Sequence, residues 1–314
     1  MFNIVQRRHL YYTLSAIIII PGVIAMLISM LQFGTPLKLS IDFTGGALQE
    51  LRFEGSILPT EVRQVFVNQG YGDTTVQTAG DGSTALIRSK FLDNETKVQI
   101  QDTLRDTIGL FEELRFEAVG PTIGDEVTRA AGIAVLAASV VILGFIWWAF
   151  RNVPNSFRYG VCAIVAMIHD VLVVCGLMAL AGLLLGWEVD ALFLTALLTV
   201  IGFSVQDTIV VFDRIRENIP KRRGEDYETI VNRSLLETIH RSLATQLNAI
   251  FVLIAILLFG GATIKQFVAV LLVGLLSGTY SSICIAAPLL VTWQKGEIGD
   301  FFRRLLKRPA RATA

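Results

Sequence analysis

Residues 202–218 are Gly-Phe-Ser-Val-Gln-Asp-Thr-Ile-Val-Val-Phe-Asp-Arg-Ile-Arg-Glu-Asn. Their first half continues an apolar run that begins near Ala191, and their second half is charged. A mostly apolar run of about 17–25 residues predicts a helix that spans a membrane. Asp207 falls before this run ends, although an aspartate at the centre of a span costs about 2.5–3.5 kcal/mol on insertion scales. Because of that cost, Asp207 is the first candidate for a functional residue.

The composition of the whole chain agrees with a membrane protein. The chain has 314 residues, of which 53% are hydrophobic and 17% are charged, whereas soluble domains carry about 25% charged residues. Six segments are long and apolar enough to span a bilayer: 12–32, 130–150, 159–185, 190–212, 243–260 and 266–292. The three cysteines lie in apolar runs, so they predict neither a disulfide framework nor a metal site.

Positive charge along the chain predicts its orientation. The first span follows Arg7 and Arg8, and no small-x-small cleavage site precedes the polar region, so we expect an uncleaved signal anchor. Lys and Arg cluster before the first span, between the second and third spans, in 213–242 and in the tail 293–314. Cytoplasmic loops carry such an excess. We therefore expect both termini in the cytoplasm and residues 33–128 outside it.

Residues 33–128 are polar enough to form a folded domain. The predicted elements are strand 47–53, helix 59–68, strands 74–78 and 84–90, helix 94–108 and strand 111–119. This order is typical of an α+β, ferredoxin-like fold. The segment contains neither histidine nor cysteine, which favours a binding or mechanical module over an enzyme.

The expected organisation of the chain has four parts. They are a cytoplasmic N-terminus with helix 1 (1–32), the external domain (33–128), helices 2–6 with a cytoplasmic loop at 213–242 (129–292), and a basic cytoplasmic tail (293–314).

Polar residues at the cytoplasmic end of spans 4 and 5 leave two interpretations open. Asp207 is either an interfacial carboxylate neutralised by Arg214 or by a water defect, or a titrating or ion-paired group that faces the bundle interior. Arg241 begins a polar stripe with Thr245 and Asn248, at positions i+4 and i+7 of the predicted helix. Arg241 either meets Asp207 across the helices or marks the cytoplasmic boundary.

A second polar pair lies deeper in the membrane. His169 and Asp170 are consecutive residues in span 3. They form either a proton relay or a self-satisfied pair that fixes helix packing.

Sequence motifs for other sources of energy are absent. The chain has no Gly-x-x-x-x-Gly-Lys-Ser/Thr phosphate loop, no His-Glu-x-x-His zinc helix and no Gly-x-Ser-x-Gly nucleophile elbow. We therefore expect no ATPase activity, no metal, no cofactor and no enzymatic reaction.

Several motifs in the same order resemble those of one family. They are 41–46 (IDFTGG), 119–124 (VGPTIG), 169–171 (HDV), 200–218, 240–243 (HRSL) and 259–261 (FGG). Together they resemble the SecF family, the smaller partners of SecD in the accessory complex of the bacterial preprotein translocase, within the resistance-nodulation-division superfamily. The resemblance covers almost the whole chain.

The resemblance implies a function. It implies a multi-pass protein of the bacterial inner membrane that pairs with SecD and lies beside the SecY–SecE–SecG channel. Such proteins use the proton-motive force to help export unfolded preproteins, and nucleic acid plays no part. Family residues for proton passage fall on Asp207 and Arg241. The structural motif residues fall on Asp42, Phe43, Gly45, Gly46, Gly120, Pro121 and Gly124.

The chain departs from the family pattern near the charged pair. Gln206 stands where asparagine is frequent, Phe203 where tyrosine is frequent, and Ser242 where threonine is frequent. A Ser/Thr patch is replaced by 245–248 (TQLN). Two other functions stay open: one half of a proton-coupled small-molecule exporter of the same superfamily, and a passive scaffold whose polar residues only set helix packing.

Overall fold

The computed structural model describes residues 3–79, 82–151, 156–222 and 224–297. They divide into two compact units. One unit contains the residues up to Lys38 and those from Val135 onward, and the other is Leu39–Ala134.

The first membrane helix, α1, is Arg8–Phe33 and follows a short 3₁₀ turn at Val5–Arg7. It ends at Gly34, which has a φ of 76°. Glycine adopts this left-handed conformation without the steric penalty of a Cβ atom, so it is a common helix end.

The unit Leu39–Ala134 is built around one antiparallel sheet. Its elements are α2 (Ile41–Thr44), β1 (Gly46–Phe53), α3 (Pro59–Asn68), β2 (Thr75–Ala79), β3 (Thr84–Ser89), α4 (Asn94–Thr107) and β4 (Phe111–Val119). The strand order is β2-β3-β1-β4, and every pairing is antiparallel. The predicted ferredoxin-like fold is therefore confirmed. Between the predicted strands 74–78 and 84–90, residues 80 and 81 lie outside the described residues.

Local chemistry explains the ends of the two long helices in this unit. Pro59 occupies the first turn of α3, where its missing N–H is not needed. Asp93 caps α4, because its carboxylate accepts a hydrogen bond from the N–H of Thr96 at 2.8 Å. Apolar residues of both helices pack on the sheet: Val62, Val65, Phe66, Ile100 and Leu104 against Ala47, Leu51, Phe53 and Ile87.

The motifs 41–46 and 119–124, which open and close this unit, lie against each other. A Cβ atom on Gly45 would lie 2.9 Å from the Cα atom of Pro121, and one on Gly124 would lie 2.7 Å from the N atom of Gly45. The hydroxyl of Thr128 donates to the carbonyl oxygen of Phe43 at 3.1 Å. This close backbone approach requires glycine at both positions.

The remaining membrane helices follow in sequence. They are α5 (Pro121–Ala149), α6 (Ser156–Leu185), α7 (Ala191–Lys221), α8 (Tyr227–Phe259), α9 (Ala262–Ser281) and α10 (Ala287–Gln294), the last two joined by a π-helical segment at Ser282–Ala286. With α1 they provide six apolar segments long enough to cross a membrane, within the described ranges. The six predicted spans are confirmed.

The core of the bundle lies between α6, α7 and α9. These three helices contact one another, α1 packs on α6, and α8 packs on α7 and α9. Close contacts rely on small residues. A Cβ atom on Gly22 of α1 would lie 2.7 Å from the Cα atom of Gly176 on α6, and one on Gly278 of α9 would lie 3.3 Å from the Cα atom of Ser204 on α7.

The connection 213–242 is mostly helical, because α7 continues to Lys221 and α8 begins at Tyr227. The two extensions are held together by polar contacts. Arg214 Nε donates to Glu237 at 2.6 Å, and Asn218 Nδ2 donates to Ser234 at 2.9 Å. Apolar residues of both extensions belong to the core of the bundle: Ile215, Val231 and Leu235.

Candidate functional site

Asp207 lies in the interior of the bundle. Its side chain on α7 is 5% exposed, and its Oδ2 atom accepts a hydrogen bond from Nε2 of Gln246 on α8 at 2.6 Å. Arg214 does not neutralise it, because that guanidinium bonds Glu217 and Glu237. The structure thus places Asp207 where the second of the two interpretations requires it.

Arg241 occupies a different place, in an open cavity of about 470 Å³ between α7 and α8. Within the described part of the chain, neither a hydrogen bond nor an ion pair joins Arg241 to Asp207. The cavity is lined by Ile209, Val210, Asp213, Arg214, Glu217, Glu237, Thr238 and Arg241. The charged groups expected to meet are therefore apart in this structure, and the cavity beside Arg241 is itself strongly polar.

The buried polar face of α8 is offset from the predicted stripe. Thr245 and Asn248 are exposed, and the hydroxyl of Thr245 donates to the carbonyl oxygen of Arg241 at 3.0 Å. The buried polar residues are instead Ser242 and Gln246, together with Thr238. These three residues are spaced by four and are each one position away from the predicted stripe or its continuation, and one residue corresponds to about 100° of helix rotation. The face of α8 that meets α7 is therefore rotated by about that angle from the face that carries Arg241.

Asp170 is the centre of a second buried network. Its side chain on α6 is 1% exposed. Its Oδ1 atom accepts from Ser277 at 2.6 Å, and its Oδ2 atom accepts from Ser204 at 2.5 Å and from Ser281 at 2.6 Å. The Nδ1 atom of His169 lies 3.0 Å from Oδ1. The two carboxylate oxygens together thus have four polar partners.

His169 connects this network to α1. Its Nε2 atom lies 3.0 Å from the hydroxyl of Ser15. The hydroxyl of Ser15 bonds Tyr280 at 3.3 Å, and Tyr280 donates to the carbonyl oxygen of Tyr11 at 2.7 Å. The network therefore joins α1, α6, α7 and α9 through side chains in the middle of the bundle.

About one turn of α7 separates Asp207 from Ser204, the residue of this helix that bonds Asp170. Ser204, which bonds Asp170, precedes Asp207 by three residues, so both side chains lie on one side of the helix. The rise between them along the helix axis is about 4.5 Å. A movement of α7 that alters one site would therefore reach the other.

The serines were not predicted, although their pattern contained a signal. Ser277 and Ser281 are four residues apart in an apolar helix, and Ser204 is three residues before Asp207. Residues at these spacings share a helix face. A row of hydroxyls facing a predicted buried carboxylate could have been proposed from that spacing.

A further ionic cluster links three distant segments near the first turn of α1. Arg8 forms an ion pair with Glu297, and its guanidinium lies 3.7 Å from Glu228 at the start of α8. Lys295 also pairs with Glu228. The Arg8 hydrogen bond holds the pKa of Glu297 below its usual range. The start of α1, the start of α8 and the residues after α10 are thereby held together.

Among the residues that the structure describes, no three histidine, cysteine or acidic side chains come together in a way that could hold a metal ion.

The fold and the buried carboxylates define an integral membrane protein with polar groups inside a six-helix bundle. The family model described as "Protein export membrane protein SecD/SecF, C-terminal" matches residues 99–296. The chain is 50% identical to protein translocase subunit SecF of Anaerolinea thermophila, over 99% of this chain and 100% of that protein. It is 32% identical to protein translocase subunit SecDF of Bacillus subtilis, over 95% of this chain and 39% of that protein.

A solved structure gives the same result. The crystal structure of SecDF from Thermus thermophilus, described as a translocon-associated membrane protein, superposes with a TM-score of 0.76 at 32% identity. The match covers 94% of this chain and 39% of that longer chain. This chain belongs to the SecD/SecF family of protein-export membrane proteins.

Proposed function

We propose that this chain is a protein-export subunit that pairs with SecD and uses the proton-motive force to promote translocation of preproteins through the SecY–SecE–SecG channel. Family membership and the names of the relatives support the export part of the proposal. The observation that carries the proton part is the buried carboxyl group of Asp207, which has one described hydrogen bond. In this proposal the chain catalyses no chemical reaction.

The proposed orientation follows the distribution of positive charge. Both termini and the α7–α8 connection lie in the cytoplasm of a bacterium, and residues 33–128 lie outside the inner membrane. The cavity beside Arg241 then opens toward the cytoplasm. The organisation into 1–32, 33–128, 129–292 and 293–314 is part of the same proposal.

The proposed mechanism assigns a role to each site. Asp207 gains a proton from the outside and loses it to the cytoplasm, through the cavity between α7 and α8. Asp207 does not line that cavity, whereas Ile209 and Val210 of the next helical turn do, so release requires a small opening between α7 and α8. The positive charge of Arg241 in the cavity opposes the return of protons.

Asp170 and His169 transmit the change rather than relay the proton in this proposal. Their network is already complete, and it bonds α7 through Ser204. When Asp207 changes its charge, a shift of α7 therefore acts on α1, α6 and α9 together. This is how protonation in the membrane would move the rest of the export complex.

The direct test is translocation in vesicles that contain this chain, SecD and the SecY channel. Asp207→Asn is expected to abolish the stimulation that depends on the proton gradient, while assembly with SecD persists. Asp226→Asn is the matched control: it also removes a carboxylate, but asparagine caps the start of α8 as well as aspartate does. Full stimulation by an assembled Asp207→Asn complex would refute the role of Asp207.

Two further measurements separate the alternatives. Co-purification in mild detergent should recover SecD, which a small-molecule exporter would not require. Proton flux that is unaffected by both Asp207→Asn and Arg241→Gln would instead support a passive scaffold.

A further inference from the structure

The amide of Gln246 is only half satisfied. Its Nε2 atom donates to Asp207, but its Oε1 atom is buried and has no hydrogen-bond partner among the described residues. The hydroxyl of Thr208, next to Asp207, is also buried without a partner there. Because an unpaired buried acceptor is costly, each such atom in a native structure requires an explanation.

A side-chain amide can serve both protonation states of a carboxyl group. It carries two N–H donors at one position and an acceptor oxygen at the other. The orientation in this structure, with Nε2 toward Oδ2, matches an ionised Asp207, since an ionised carboxylate is an acceptor only. Rotation of the amide by half a turn would place Oε1 where it can accept from a protonated carboxyl group. The side chain occupies the same volume in both orientations.

The charged groups on the surrounding helices are engaged elsewhere, so Gln246 is the group placed to bond Asp207 in both protonation states. On α6, Asp170 is bonded by its own serines. On α8, Glu237 bonds Arg214, while Arg241 lies in the cavity. Between Ser277 and the end of α10 the sequence carries no charged side chain. An arginine could stabilise only the ionised form of Asp207, whereas a neutral amide can accompany both forms.

We propose that Gln246 is a positioning residue of the proton site, and that its amide turns over each time Asp207 gains or loses a proton. This inference rests on the proposed function of Asp207. When the proton binds Oδ2, the hydrogen bond from Nε2 breaks and a bond from the new O–H to Oε1 replaces it. The reverse exchange follows when the proton leaves. The unpaired Oε1 atom in this structure is the acceptor kept for the protonated state.

A spectroscopic experiment tests the exchange directly. The full chain, assembled with SecD in lipid, is labelled with ¹⁵N at glutamine side chains, and the Gln246 signal is assigned by its loss in Gln246→Met. We expect the chemical shift of this signal to change with pH at the same midpoint as the chemical shift of the Asp207 carboxyl carbon. In Asp207→Asn the Gln246 signal should be independent of pH. A Gln246 signal that stays constant while Asp207 titrates overturns the inference.

A functional measurement completes the test. Gln246→Met preserves the volume but removes both hydrogen-bonding groups, and we expect proton flux to fall about tenfold, the effect of losing one hydrogen bond to a charged group. Gln246→Asn, which keeps a shorter amide, should recover part of the flux. Leu247→Met, at the exposed neighbouring position, should leave it unchanged.

The outcomes distinguish the inference from the function on which it rests. If Asp207→Asn leaves proton flux intact, both are wrong. If Asp207→Asn abolishes flux and Gln246→Met does not reduce it, the role of Gln246 alone is wrong.

Discussion

Asp170 and Asp207 lie on neighbouring helices, but their surroundings differ in one decisive respect. Among the residues that the structure describes, Asp170 has three serine donors and a histidine around its two oxygens, whereas Asp207 has a single amide. Protonation of Asp170 would disrupt several hydrogen bonds at once, whereas protonation of Asp207 would disturb only one. The arrangement therefore favours Asp170 as a structural group and Asp207 as the group that changes charge.

The first prediction concerns Asp170. Asp170→Asn replaces a carboxylate oxygen with an N–H group that faces serine donors, so we expect the protein to lose about 1.5–3 kcal/mol of stability, the value of a hydrogen bond to a charged group. Thermal unfolding of the purified protein measures this loss, with the exposed Asp102→Asn as the control. Unchanged stability with loss of proton flux would instead identify Asp170 as a proton relay.

Glu113 provides a pH-dependent prediction outside the membrane. Burial raises its pKa, but hydrogen bonds from Lys97 and Gln101 outweigh this effect and hold the pKa below its usual range. A folded-state pKa below the unfolded value means that Glu113 stabilises the fold above the unfolded pKa of about 4.3. This contribution is lost as the pH falls through the lowered pKa.

The measurement is a comparison with Glu113→Gln. We expect the variant to be less stable than the unsubstituted protein at pH 7, and the difference in free energy of unfolding to shrink on acidification below about pH 4. Glu112→Gln, on the same strand with a more exposed side chain, is the control. A difference that does not vary with pH would contradict this assignment.

At the scale of the helices, close packing makes a prediction about α1 and α6. Gly22→Ala would place a Cβ atom 2.7 Å from the Cα atom of Gly176, on backbone that cannot move aside easily. We expect a loss of about 1–3 kcal/mol, as for other overpacked contacts. Gly144→Ala on α5 is the matched control, because nothing lies within 4 Å of that position.

Thermal unfolding of the two alanine variants tests the predicted difference in stability. The Gly144 variant should be as stable as the unsubstituted protein or slightly more stable, since alanine favours helix more than glycine does. Equal stability of the Gly22 and Gly144 variants would show that α1 can move away from α6 without cost.

The elements that could be predicted were those with a strong local pattern. Six apolar runs predicted the six helices, and alternating residues such as those of 47–53 predicted the strands. The charges of 213–242 predicted a connection between two spans, but they did not show that its apolar residues pack within the bundle. A sequence does not show which helix lies opposite such a face.

The candidate site was predicted only in part, because a sequence does not show which helix faces meet. Asp207 was found because a carboxylate in an apolar run is costly. Gln246 was missed because Arg241 was taken as the reference for the polar face of α8, and the true face is set by packing on α7. The serine partners of Asp170 come from two further helices, so their meeting depends on the tertiary fold.

At the scale of the whole molecule, α5 is the helix that the bundle covers least. Of its most apolar 18 residues only 6% are buried, compared with 50% for the corresponding stretch of α6, among the spans that the structure describes. Leu136, Val140 and Trp147 are among its exposed residues. If the chain pairs with SecD as proposed, this helix is the natural candidate to contact the partner.

Site-specific cross-linking tests that expectation. A photoreactive residue at Val140 should form a cross-link to SecD in native membranes, whereas one at Phe251, on the exposed side of α8, should react mainly with lipid. Cross-links from Phe251 alone would place the partner on the opposite helix and contradict the expectation.

The π-helical segment Ser282–Ala286 has a consequence for how the last span can turn. The segment directly follows Ser281, which donates a hydrogen bond to Asp170. Beyond the segment, α10 is held by a hydrogen bond between Thr292 and Tyr12 at 2.9 Å. Because its hydrogen bonds reach from i to i+5, a π turn accommodates one residue more than an α turn. The last span thus contains one extra residue at this turn. A change between π and α geometry there would allow α9 to rotate about its axis while α10 stays in place.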